Sequence, residues 1–329
     1  MSHSYHLHTH KRRELLRFMS AATLMALLEA CASNLPDSTP IASAPTSTAI
    51  PSATPPSTAT ATAQPTTTPL PPTLAPPTRA PTPTALPATP TTSNKVTRLP
   101  IFDTHNHYSQ NSWDSYTPEQ IIKKMEQADV RRALVSSSPD DGTRKLFALD
   151  PGRIVPSLRP YTSDISSTNW YEHPQSLPYV QQRIETPIYQ SLGEIHLHVA
   201  AANTLIARQV IRMGVERGLY LHIHSDARTI HNVFNYEPTA KILWAHAGLS
   251  ETPKTVSETL DQYQNLWVDI SLRESEIGGQ GKLASNWRDL CLKHPDRLTI
   301  GSDTWIPSRW DDYESIIELD RTWLAQLPS

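Results

Sequence analysis

His105 and His107 stand one residue apart at the end of Ile101-Phe102-Asp103-Thr104-His105-Asn106-His107. Alternate side chains of a strand share a face, so the two imidazoles point the same way if this stretch is extended. Two neutral imidazoles on one face can hold one metal ion. The spacing alone is weakly specific, since His-x-His recurs between His6 and His10, at His196/His198 and at His222/His224. Its place in the chain makes it informative. Later apolar runs also close on polar, ligand-type residues: Gly193-Glu194-Ile195-His196, Leu221-His222-Ile223-His224-Ser225-Asp226, Trp244-Ala245-His246-Ala247-Gly248 and Ile300-Gly301-Ser302-Asp303-Thr304. One such residue is usually a buried, hydrogen-bonded side chain. A set of them, each at the same point of a repeating pattern, points to a metal centre.

The elements that must position these residues follow from hydrophobic patterning. From Leu99 onward, short apolar or β-branched runs alternate with longer amphipathic runs, the signature of repeated βα units and a parallel sheet. Strands are expected over residues 100–104, 132–137, 153–158, 190–195, 219–224, 241–245, 266–270 and 298–301. Helices are expected over 118–128, 203–217, 253–264, 284–293 and 312–327, with Gly218 placed as a helix-ending glycine before the fifth strand. Eight strands in a segment of this length fit an α/β fold of the (β/α)8 TIM-barrel type, in which active groups gather at the C-terminal ends of the strands. A doubly wound open sheet is the alternative, but no Gly-rich phosphate turn follows the first strand.

Composition divides the 329 residues into three parts. All ten glycines lie from Gly142 onward, and sixteen of the 30 prolines fall between Pro36 and Pro90. Residues 1–31 read as an export signal, 32–98 as a disordered Pro/Thr/Ser-rich linker and 99–329 as the barrel. The linker is too poor in large apolar residues to offset its conformational entropy, and its proline density favours an extended, semi-rigid spacer. It reads as a stalk or as a tail of unselected length. The formal charge of −3 gives no case for nucleic acid or a strongly acidic partner. Two cysteines, Cys31 and Cys291, do not make a disulfide framework.

At the N-terminus, Lys11-Arg12-Arg13 precedes an apolar run from Leu15 to Leu28, too short for a comfortable membrane span. The run closes with Leu28-Glu29-Ala30-Cys31, which resembles a bacterial lipoprotein signal, and Arg12-Arg13-Glu14-Leu15-Leu16 resembles a twin-arginine signal. The resemblance implies lipidation of Cys31 and a membrane-anchored, extracytoplasmic protein. An uncleaved signal anchor is the other reading.

The barrel residues carry a second resemblance. The order His105, His107, His224, His246 and Asp303, with Ile242-Leu243-Trp244-Ala245-His246-Ala247-Gly248 and Gly301-Ser302-Asp303 as the closest phrases, is similar to the amidohydrolase superfamily, in its amidohydrolase-related branch. That resemblance implies a TIM barrel and metal-dependent hydrolysis, or occasionally decarboxylation. Spacing does not choose between His222 and His224; the family pattern selects His224 as ligand and leaves His222 as a packed residue. Gly193-Glu194-Ile195 resembles the metal-binding glutamate turn of the TatD-type deoxyribonucleases, which implies Glu194 as a ligand and allows one ion or two, zinc before manganese, iron or nickel.

The reaction expected is hydrolysis of a small amide, ester or lactone by metal-activated water, with Asp303 as general base and His196 stabilising the oxyanion. Arg159, after the third strand, reads equally as an anchor for a substrate anion or as a structural ion pair, and Trp305 as a pocket wall or a barrel cap. TatD-like phosphodiester hydrolysis, decarboxylation and a non-catalytic surface module are the alternatives. The lack of basic excess weighs against the first of these.

Overall fold

The structure is a computed structural model that describes residues 100–278 and 281–328. The expected export signal, Cys31 and the linker lie outside the described residues.

Eight strands form one sheet in chain order: β1 (Ile101–Asn106), β2 (Val130–Ser136), β3 (Ile154–Leu158), β4 (Ser191–His196), β5 (Tyr220–His224), β6 (Lys241–Trp244), β7 (Leu266–Asp269) and β8 (Leu298–Thr299). Every neighbouring pair is parallel. A parallel bridge between Asp103 and Ile300 closes the sheet, with Thr104 N donating to Ile300 O at 2.8 Å. The result is the TIM barrel expected from the βα alternation. Helices cover the outer face, so the strands are buried on both sides; β3 is buried at every residue.

The helices whose polar and apolar residues alternate with clear helical period lie within a few residues of expectation: Pro118–Gln127, Leu205–Glu216, Pro253–Gln262, Ser285–Lys293 and Tyr313–Leu324. Thr117 and Gln120 form a reciprocal capping box on the first of these. Gly218 follows Leu205–Glu216 in the left-handed region (φ +68°), as a helix-ending glycine should. Three longer helices were not expected: Asp141–Leu149, Ser176–Ile184 and Ala227–Tyr236. The last is rich in Thr, Ile, Val, Phe and Asn, which are indifferent helix formers. Burial of Ile230, Val233 and Phe234 along one face, with Asp226 capping Thr229 N, overrides that propensity.

The two ends of the barrel differ in chemistry. Leu134, Val155 and Leu243 pack with Trp267 inside its N-terminal end, beside a mostly apolar cavity of about 310 Å³. The opposite rim, where the strands end, carries buried His, Asp and Glu. Among the described residues no helix is long and apolar enough to cross a membrane.

Candidate metal centre

His105 and His107 are buried side by side, with their Nε2 atoms 3.1 Å apart. Each ring is held from behind. His105 Nδ1 lies 3.1 Å from Asp269 Oδ2, and His107 Nδ1 lies 2.8 Å from the Ser136 carbonyl. A carboxylate or carbonyl behind the ring calls for the proton on Nδ1, which leaves both Nε2 lone pairs facing each other's neighbourhood.

Two carboxylates meet those lone pairs. Glu194 is the extra residue of a β-bulge, since Gly193 pairs with His222 and Ile195 with Ile223. A bulge beside a site re-aims a side chain, and here it turns Glu194 into the rim. The backbone at Gly193 (φ +129°) admits only glycine, because a Cβ there would lie 2.1 Å from His222 O. Asp303, itself at φ +44°, is tied to β1 by its N–H, which donates to His105 O at 2.7 Å. Glu194 Oε2 lies 3.3 Å from His107 Nε2 and 3.5 Å from His105 Nε2. Asp303 Oδ1 lies 3.2 Å and 3.5 Å from the same two nitrogens. A tetrahedron with zinc–ligand bonds of ~2.0–2.1 Å has edges of about 3.3–3.4 Å. His105 Nε2, His107 Nε2 and Glu194 Oε2 stand 3.1 to 3.5 Å apart, the spacing of three ligand atoms on one ion, and Asp303 Oδ1 stands as close to the same two nitrogens.

Glu194 turns its other oxygen to a second group. Oε1 lies 2.8 Å from His224 Nδ1 and 3.3 Å from His246 Nε2. His246 Nδ1 is held by Ser271, through its carbonyl at 3.1 Å and its hydroxyl at 2.9 Å. His196 stacks on His224 with ring centroids 4.1 Å apart; its Nε2 lies 3.6 Å from Glu194 Oε2, and its side chain is 37% exposed. His196 is thus the imidazole of the group most open to solvent. His222, which shares the face of His224, lies deeper, with Nε2 3.1 Å from Asp269 Oδ2.

Arg159 enters the cluster but does not face outward. Its Nε donates to Glu194 O at 3.1 Å, its Nη2 to Glu194 Oε2 at 3.0 Å, and its guanidinium packs over Tyr161. Trp305 stands 41% exposed beside Asp303, its carbonyl accepting from Asn111 Nδ2. Asp269, Ser136 and Ser271 were missed by sequence reasoning, though Val268-Asp269-Ile270 closes an apolar run as the other sites do.

Electrostatics follow from this packing. Burial opposes charge on His105, but Asp269, Asp303 and Glu194 outweigh it and hold its pKa well above the usual range. Burial likewise opposes charge on Glu194; His196 and His105 outweigh it and hold that carboxyl well below its usual range. Asp269 and Asp303 are also lowered against burial, chiefly by His105. His222 and His224 are pushed down to about 4, first by burial. Ionised carboxylates around buried imidazoles, with a proton on His105 that a metal ion would displace, make a seat for a cation.

No protein-family model and no curated protein matches the chain. Solved structures match it at low identity. A probable 2-pyrone-4,6-dicarboxylic acid hydrolase from Acinetobacter baumannii, with citric acid bound, is 12% identical over 66% of this chain and 90% of its own, with a TM-score of 0.45. An amidohydrolase from Burkholderia multivorans with bound zinc is 15% identical over 69% and 92%, with a TM-score of 0.44. A TatD homologue from Escherichia coli K12 is 18% identical over 68% and 89%, with a TM-score of 0.43.

Proposed function

We propose that the barrel is a metal-dependent hydrolase of small amides, esters or lactones, with zinc held by His105, His107, Glu194 and Asp303. The observation that supports it is the convergence of His105 Nε2, His107 Nε2 and Glu194 Oε2 within 3.1 to 3.5 Å of one another, with Asp303 Oδ1 beside the two nitrogens. A divalent ion at such a seat supplies Lewis acidity and lowers the pKa of a water from 15.7 to about 7.

The protein's own groups do the rest. Asp303 is ionised against burial and lies at the rim, so it receives the proton of the attacking water. His196, open to the mouth beside Glu194, donates to the oxygen on which charge develops. Asp269 and Ser136 hold His105 and His107 in the tautomer that leaves Nε2 free. Trp305, exposed beside Asp303, provides an apolar wall for the substrate. Arg159 is bonded to Glu194, so the role proposed for it lies within the centre instead of on a substrate anion.

The test is elemental analysis of the purified protein, followed by assay of the zinc-loaded form against ester, lactone, amide and phosphodiester panels. Turnover of neutral esters, lactones or amides that disappears on chelation and returns with zinc is the expected result. Turnover confined to phosphodiesters would select the nuclease alternative. Protein without stoichiometric metal would remove the hydrolase reading. We extend the proposal to location, as an exported lipoprotein anchored through Cys31; a free, unlipidated Cys31 in mass spectra of the mature protein would overturn that part.

A further inference from the structure

We propose that Arg159 sets the number of ions in the centre to one. The inference rests on the metal-centre reading above and adds what that reading leaves open, the count. Glu194 presents Oε2 to His105 and His107, and Oε1 to His224 and His246, so its carboxylate could bridge two ions. Arg159 holds this same carboxylate through Oε2 at 3.0 Å and through the backbone carbonyl of Glu194 at 3.1 Å. Arg159 is 8% exposed, so its charge is little screened by solvent.

Charge balance then decides the count. The ionised side chains bonded to the rings and carboxylates of the centre are Glu194 and Asp303 at the Nε2 atoms, Asp269 at His105 Nδ1, and Arg159 at Glu194. Three carboxylates against one guanidinium leave two net negative charges, which one divalent ion cancels. A second ion would leave two net positive charges in a buried cluster, beside a guanidinium that cannot lose its proton. The neighbouring charges lie off the donor atoms, and buried Asp103 is taken up by Ser302, Asn106, Tyr313 and the backbone of His105. Glu274 pairs with Arg309 at 3.2 Å, and Arg273 pairs with Glu276 at 2.6 Å and caps the His246 and Ala247 carbonyls. Geometry agrees. His224 Nδ1 lies 2.8 Å from Glu194 Oε1, so this oxygen already has a hydrogen-bond partner and needs no ion there.

The test is calorimetric zinc titration of the full chain after chelation, with metal content after gel filtration as a second readout. Wild-type protein should take one zinc tightly and a second on the order of 100-fold more weakly, as expected for adding charge to a buried cluster. Arg159→Met should take two zinc ions of comparable affinity. Arg159→Lys keeps the charge and loses the fork, so it should still take one. Two equal sites in wild-type protein, or one site in a folded Arg159→Met, would overturn the inference while leaving the hydrolase reading in place. Should Arg159→Met not fold, the wild-type and Arg159→Lys titrations decide: two comparable sites in either would overturn the inference. A wild-type protein that binds no zinc would overturn the underlying reading, and this inference with it.

Discussion

Asp269 Oδ2 lies 3.1 Å from His105 Nδ1, while the opposite nitrogen of that ring faces Glu194 and Asp303. The carboxylate therefore fixes the proton on the far side and raises the basicity of the nitrogen offered to an ion. The same oxygen also meets His222 Nε2 at 3.1 Å, so one buried acceptor holds two rings.

Asp269→Asn keeps the shape and removes the charge. It should weaken zinc binding about 10- to 100-fold, the usual cost of losing a carboxylate behind a ligand histidine. Competition against a chelator of known affinity measures this, with circular dichroism as the folding control. Unchanged affinity would mean that Asp269 serves packing alone.

Asp303→Asn should lower kcat by on the order of 10²–10⁴, the contribution expected of a general base. Asp303 also faces the ion seat, so zinc content must be read on the same sample. A variant that retains one zinc and full turnover would remove Asp303 from proton transfer.

Gly301→Ala tests how tightly β8 abuts β1. A Cβ at Gly301 would lie 2.4 Å from His105 Cβ and 3.0 Å from its backbone nitrogen, so His105 must move. A ligand displaced by even part of an ångström loses its ion geometry, and zinc affinity should fall at least about tenfold. Affinity equal to wild type would show that the barrel gives way elsewhere.

The barrel was legible because the runs that close on His, Glu or Asp recur at a βα period, and strands buried on both faces read as unbroken apolar runs. The same rule marks His105, Glu194, His224, His246 and Asp303, which the fold brings to one rim. Other features were not legible. Asp269 closes the seventh apolar run in the same way, but that it stands behind His105 follows only from the register of a closed barrel. The partner of Arg159 is 35 residues away, so its commitment to Glu194 over a substrate had no local sign. The helix Ala227–Tyr236 is held by burial against propensity, which a local reading cannot weigh.

The stability of the chelated protein should peak near the ordinary histidine pKa of about 6.5. Below that value His222 and His224 decide the slope. Burial holds both at about 4 in the folded chain, so between pH 6.5 and 4 the unfolded chain binds more protons, and stability falls as pH falls. Above it His105 decides. Asp269, Asp303 and Glu194 hold its folded pKa well above 6.5, so its contribution is complete below 6.5 and is lost as pH rises toward the folded value. The lowered pKa values of Asp269, Asp303 and Glu194 add stability that is lost only in acid, below the ordinary carboxylate range, and so leave this maximum in place. Zinc held at the proposed seat would replace the proton on His105 as the counter-charge to these carboxylates, so loading should flatten the alkaline limb. Tm measured from pH 4.5 to 9 with and without zinc checks both limbs. A chelated protein whose Tm climbs steadily from pH 6 to 8.5 would contradict the charge arrangement drawn around His105.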